Sequence, residues 1–161
     1  MAVHKLIMDD VFEEALYTLI AIHCTIEDYR LAYLLNARLG IRLKRKTADL
    51  DYNNGTPSFP IFDWEDCKQQ TTWSLVVNVC ATETEQETAS NSLFGPENKI
   101  VQKTYLIPEY KKVNYFLKTD NEFSTDKEKQ LINNILNIPQ VSTAYFIDAN
   151  QLKSKNNLIF S

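Results

Sequence analysis

Apolar positions recur along this chain with two periods, and the first long apolar stretch satisfies both. Phe12, Leu16, Leu19 and His23 fall on a helical stripe, whereas Leu16, Ile20 and Ile22 fall on one face of a strand. A buried strand is expected over Ala15 to His23, because a better helix restarts directly after it. Thr25 with Asp28 three residues on has the form of a capping box, and Gly40 supplies the stop. The helix so bounded, Ile26 to Leu39, is apolar round most of its circumference. Leu31, Leu35 and Leu39 make one stripe, Ile26, Tyr29, Tyr33 and Ala37 make another, and Glu27, Arg30 and Arg38 share a narrow polar side. Such a helix is expected either to be covered by two layers or to sit at a subunit interface.

Strand patterns dominate the rest. His4 to Met8 reads as a first strand closed by Asp9-Asp10. Ile41 and Leu43 alternate with Arg42, Lys44 and Lys46, a strand with one wet face whose lysines discourage edge pairing. Asp51 to Ser58 is turn chemistry, with Asn54-Gly55 and Pro57. Phe59 to Trp64 and Thr71 to Ala81 read as a hairpin, with Trp73, Leu75, Val77 and Val79 on one face. Thr82 to Lys99 is polar and reads as a long loop, pinned by Leu93 and Phe94. Ile100 to Ile107 and Val113 to Lys118 are expected strands flanking a Pro108-Glu109 corner. Thr125 with Glu128 is a second capping box, opening a helix to Asn137 with Leu131, Ile132, Ile135 and Leu136 on one face and Pro139 ending it. Val141 to Ile147 is the last strand, after which Asp148 caps a short helix before Leu158-Ile159-Phe160.

This order predicts a single domain over residues 1–161 of the α+β class. It has two layers, a mainly antiparallel sheet with two principal helices on one face. The specific topology expected is a split β-α-β arrangement, ferredoxin-like, with Phe59 to Ala81 as an inserted hairpin. A length of 161 residues with 44% hydrophobic and 24% charged positions supplies a sizeable core. The net charge of −4 argues against nucleic acid as a partner. Asp9, Asp10, Glu13 and Glu14 stand where a signal peptide needs its apolar region, and Ala15 to Cys24 is too short to span a bilayer. An unanchored cytoplasmic protein with no membrane partner is expected, its Cys24, Cys67 and Cys80 being free thiols.

Candidate chemistry is sparse. Three glycines, none near another, build neither a dinucleotide fingerprint nor a phosphate loop, and His4 and His23 have no ligand-like spacing. No metal, cofactor or catalytic residue is therefore assigned. Cys24, beside the helix start, reads as a small buried hydrophobe rather than an activated thiol, as do Cys67 and Cys80. Arg42, Lys44, Arg45 and Lys46, with Lys111-Lys112, lack the interleaved aromatics of a single-strand binder and read as a solvated face. Asp28 reads as a helix cap.

The stretch Ile107-Pro108-Glu109-Tyr110-Lys111-Lys112-Val113-Asn114-Tyr115 resembles the motif that names the IPExxxVDY family, small proteins of Bacteroidetes-type bacteria. Asp28-Tyr29-Arg30-Leu31, Thr143-Ala144-Tyr145 with Ile147-Asp148, and Leu152-Lys153-Ser154-Lys155 look similar too. The resemblance covers most of the chain and implies a bacterial family rather than a mechanism. Where the family motif has Asp this chain has Asn114, which is no general base; a hydrogen-bonding role survives. If Val113 and Tyr115 face the core, Asn114 faces the other way. Glu109 at the corner needs a partner for its charge, from Lys111, Lys112 or an N–H group, and Tyr115 needs one for its hydroxyl.

The leading expectation is a noncatalytic domain acting by association, either with itself as a homodimer or with another protein. The alternative is a regulatory domain binding a small molecule in a pocket made by Tyr29, Arg30, Glu109 and Tyr115. An enzyme of unrecognised class comes third. The residues to follow into the structure are Glu109, Tyr115, Asn114, Tyr29, Arg30 and Asp28.

Overall fold

The computed structural model describes residues 16–51, 58–85 and 99–160. The expected strand at His4 to Met8, the Asn54-Gly55 turn, and Leu93 and Phe94 lie outside the described residues. The ambiguous apolar stretch is a strand, β1 (Thr18–Cys24). Its run Leu19-Ile20-Ala21-Ile22 is buried on both sides, and period two divides it: Ile20 and Ile22 face one core, Leu19 and Ala21 the other. A strand buried on both faces must lie inside a sheet. Helix α1 (Asp28–Leu39) follows, then the short strands β2 (Lys44–Arg45), β3 (Leu50–Asp51) and β4 (Ser58–Phe59), and then β5 (Ile61–Asp66) and β6 (Thr71–Val77). A ribbon, β7 (Val79–Glu85) with β8 (Lys99–Tyr105), precedes β9 (Tyr115–Thr119), α2 (Thr125–Leu136) and β10 (Val141–Ile147).

Six strands form one antiparallel sheet in the order β10-β1-β9-β6-β5-β2. Because β1 and β6 are each antiparallel to β9 between them, they are parallel to one another, and α1 lies between them in the chain. By the same reasoning β9 and β10 are parallel around β1, with α2 between. Two interlocked split β-α-β units result, the expected arrangement. The expected hairpin is present as β5–β6, but it is no appendage, since β6 is itself a core strand beside β9.

Both helices pack on one face. Leu31, Ala32 and Leu35 of α1 and Leu131 and Ile135 of α2 close over Ile20, Ile22, Leu75, Tyr115 and Leu117. Each fully buried Leu or Ile contributes about 1.5–3 kcal/mol relative to exposure, so this seam holds both helices. Gly40 ends α1 as expected, at φ 66° with its N–H on the Asn36 carbonyl. Neither capping box forms. The N-caps are Glu27 and Ser124, one to two residues from the expected Thr25 and Thr125, and neither side chain makes the cap bond. At α1 the Tyr115 hydroxyl takes the Ile26 carbonyl, which holds the chain extended past Thr25.

The second face of the sheet is also covered, by irregular chain. Leu106, Ile107 and Val113 from the corner, with Ala149, Leu152 and Leu158 from the C-terminal turns, bury Leu19, Ile61, Val76 and Phe116. Asp148 accepts from the Asn150 N–H at 3.0 Å and starts a short 3-10 turn, as expected.

Three boundaries differ from expectation. The strand Thr71 to Ala81 breaks at Asn78: β6 stays in the main sheet and Val79 opens the ribbon. Within the expected long loop, β7 runs on to Glu85. Finally, the strands flanking the Pro108-Glu109 corner stop short of it, β8 ending at Tyr105 rather than Ile107 and β9 starting at Tyr115 rather than Val113; β8 pairs with β7, and β9 sits between β1 and β6.

Candidate functional site

The corner that carries the signature is a 3-10 turn, Pro108–Tyr110, with Pro at its first position as the fixed φ favours. The buried side-chain amide of Asn78 holds it in place. Its Nδ2 donates to the carbonyls of Tyr110 (2.9 Å) and Val113 (2.8 Å), and its Oδ1 accepts from the Ile107 N–H at 2.9 Å. The Asn78 backbone bonds Asn114 and Leu106 as well. Turning the strand out at Asn78 is what frees these groups to face the corner.

Glu109 reaches the C-terminal segment. Its carboxylate accepts from the Ser154 hydroxyl at 2.6 Å and the Ser154 N–H at 3.2 Å. These bonds, the hydroxyl first, hold its pKa below the ordinary value. A hydroxyl and an N–H group of Ser154, not a lysine, are thus the partners. Asn114 continues the β1 ladder past its end: its N–H bonds the Ile22 carbonyl and its Oδ1 accepts from the Cys24 N–H at 2.9 Å. The β1–β10 register shifts between His23 and Cys24 at this point. Val113 and Tyr115 do not share a face, because Val113 belongs to the second-face core and Tyr115 to the helix-side core. Tyr115 donates its hydroxyl to the Ile26 carbonyl at 2.5 Å, and burial, then nearby Asp28, raises its pKa.

The expected pocket does not assemble. Glu109 lies over the second face, Tyr115 under the helices, and Tyr29 and Arg30 on the outer side of α1, exposed. Arg30 pairs there with Glu27 at 3.4 Å. The structure does bring Asp28 and Tyr115 together, in a cleft of about 330 Å³ with Asp49, Ser58, Val77 and Cys80. The principal polar groups of that cleft are already engaged: Asp28 accepts from the Tyr29 N–H, Asp49 pairs with Arg45, and Tyr115 holds Ile26.

The remaining candidates resolve as follows. Cys24 is buried and Cys80 half-buried, but Cys67, expected inside, is exposed in the tight turn between β5 and β6. His23 shares a hydrogen bond of 3.0 Å with the Tyr145 hydroxyl. In the basic run Arg45 and Lys46 are matched to Asp49 and Asp63, which neutralises half of it. Among the described residues no group of three His, Cys, Asp or Glu side chains could hold a metal, and no helix is long and apolar enough to cross a membrane.

Two features went unread in the sequence. The first is how α1 divides: Leu31, Ala32 and Leu35 are buried, while Tyr29 and Tyr33 are 61% and 72% exposed. The second is a polar cavity of about 170 Å³ on the second face, lined by Lys46, Asp63, Thr72, Ser74, Lys118, Asp120 and Phe160. Its signal lay in the alternation of β6, where Thr72 and Ser74 oppose the face of Trp73 and Leu75. Lys118 is half-buried between the rings of Tyr17 (4.6 Å) and Phe160 (4.8 Å) and donates to the Leu158 carbonyl at 2.8 Å. Burial lowers its pKa, opposed by Asp120.

The fold defines an antiparallel α+β protein of interlocked split β-α-β units. No family model, curated protein or solved structure matches the chain.

Proposed function

We propose that the chain acts without catalysis, by self-association: α1 packs antiparallel on α1 of a second copy about a two-fold axis at Tyr33. The observation that carries the reading is the exposed stripe Tyr29, Tyr33 and Ala37, spaced one turn apart on a side of α1 that none of the described residues covers. That stripe is self-complementary. In an antiparallel pair centred on Tyr33, residue numbers facing each other sum to 66, so Tyr29 faces the small Ala37. The antiparallel direction also sets the N-terminal end of each helix dipole beside the C-terminal end of the other. Tyrosines are favoured anchors in such interface cores.

Sedimentation velocity from micromolar to about 100 μM tests this. A concentration-dependent dimer is expected, and Tyr33→Asp is expected to give a monomer with unchanged circular dichroism. A wild-type chain monomeric throughout overturns the reading. Two further proposals accompany it. Cytoplasmic placement is supported by three free thiols, one of them exposed. Kinship with the IPExxxVDY proteins is supported by Ile107 to Tyr115.

A further inference from the structure

The polar cavity is where hydrogen-bonding capacity stays open. Its floor follows from strand register: Asp63 pairs with Ser74, and Ser74 with Lys118, so the three side chains share one face. Thr72 and Asp120, each two residues along, share that face and adjoin through the Asp120 N–H on the Thr72 carbonyl. Ser74 is only 5% exposed, yet its hydroxyl has no hydrogen-bond partner among the described residues. That hydroxyl opens on the cavity, so whatever fills the cavity, water or a ligand, supplies its hydrogen bond.

Charge decides what fits. Lys46 and Lys118 balance Asp63 and Asp120, so neither a simple anion nor a simple cation is favoured over water. Lys46 and Asp63 satisfy each other at 3.0 Å. Lys118 gives one N–H to Leu158 and keeps others, whereas the Asp120 carboxylate has no ion pair or side-chain hydrogen bond among the described residues. The open groups are therefore a carboxylate with the Thr72 hydroxyl beside it at one end, and an ammonium with the Ser74 hydroxyl at the other. Two positions on one strand lie about 7 Å apart, a gap that a short molecule with oppositely charged ends can bridge. The volume is about half that of the smallest drug-sized pockets, roughly 300 Å³.

We propose that this cavity binds a small zwitterion of the α-amino acid class, its ammonium on Asp120 with the Thr72 hydroxyl and its carboxylate on Lys118 with the Ser74 hydroxyl. Phe160 closes one wall against the ligand's carbon atoms. No residue of α1 takes part, so binding is independent of the self-association proposed above.

Calorimetric titration of the full chain with glycine and L-alanine, against propionate and ethylammonium, tests the proposal; amide spectra of the labelled protein locate the site. A zwitterion is expected to bind at least about tenfold more tightly than either half-molecule and to move the amides of Thr72, Ser74 and Asp120. Asp120→Asn, at an exposed position that leaves the fold intact, is expected to weaken binding about tenfold, and Ser74→Ala to do likewise. The Tyr33→Asp variant is expected to bind as the wild type does. The proposal is overturned if neither zwitterion moves those amides, if propionate binds as well as L-alanine, or if Asp120→Asn binds unchanged.

Discussion

A buried side-chain amide whose donors and acceptor are all engaged is hard to replace, because each lost bond strands a partner away from water. Asn78, fully buried, is such a group: three side-chain bonds tie β6 to the corner that covers the second face. Asn78→Ala strands the Ile107 N–H and the Val113 carbonyl and leaves the Tyr110 carbonyl with only the Val113 N–H, and is expected to destabilise by roughly 2–5 kcal/mol in urea unfolding. Asn78→Asp keeps the acceptor, loses both donors and buries a charge, so it is expected to be no milder. Glu109 is a weaker tie with a pH signature. Its folded pKa lies below the unfolded value of about 4.5, so the unfolded chain binds the proton first on acidification. The contribution is complete above pH 4.5 and fades as pH falls through the folded pKa. Wild type should therefore exceed Glu109→Gln in urea midpoint near pH 7, with the difference shrinking below pH 4.5. The group is largely exposed, so the difference is expected to be small.

Among the elements, α1 shows most clearly what pattern alone conveys. Its apolar stripes and its Gly40 stop are plain in the sequence, since both are local. Which stripe faces the sheet is not, because Leu31 and Tyr33 are equally able to be buried and only the position of β1 and β9 beneath them decides. The break at Asn78 was hidden for the same reason. Val77 and Val79 continue a strand pattern, and the groups that turn the chain there, Ile107 to Val113, lie about thirty residues on. The polar cavity was half legible, as two hydroxyl residues on one face of β6, but its charges come from β5, from β9 and from the residues directly after β2 and β9. The proposed α1 pairing makes a prediction at this scale. Ala37→Tyr should clash with the partner's Tyr29 and abolish the dimer, and adding Tyr29→Ala should restore it by exchanging large for small. Both positions are exposed in the single chain, so thermal unfolding of the monomer should change by less than about 0.5 kcal/mol in either variant. A double variant that stays monomeric argues against this register.

For the molecule as a whole, the asymmetry of its two faces is the physical fact with most reach. The helix side is sealed by regular elements whose backbone bonds are internal. The second side is sealed by the corner and the C-terminal turns, which hold on through side chains: Asn78, Glu109 to Ser154, Asn157 to the Leu106 carbonyl, and Lys118 to the Leu158 carbonyl. Regular elements can reform one at a time, but irregular chain keeps its place only while what it covers is intact. Residues 149–160 bury Leu152 and Leu158 against Phe116 and Leu19. Burial of those two leucines alone contributes about 3–6 kcal/mol, a large share of the 5–15 kcal/mol typical of a domain. Leu158→Ala is therefore expected to cost about 2–5 kcal/mol, and removal of residues 149–161 to abolish cooperative unfolding, with dye binding at the uncovered face. Tyr33→Asp should do neither. If the truncated chain still melts sharply at the wild-type temperature, the second face is not part of the cooperative core and the ties through Glu109 and Lys118 are ornaments of the surface.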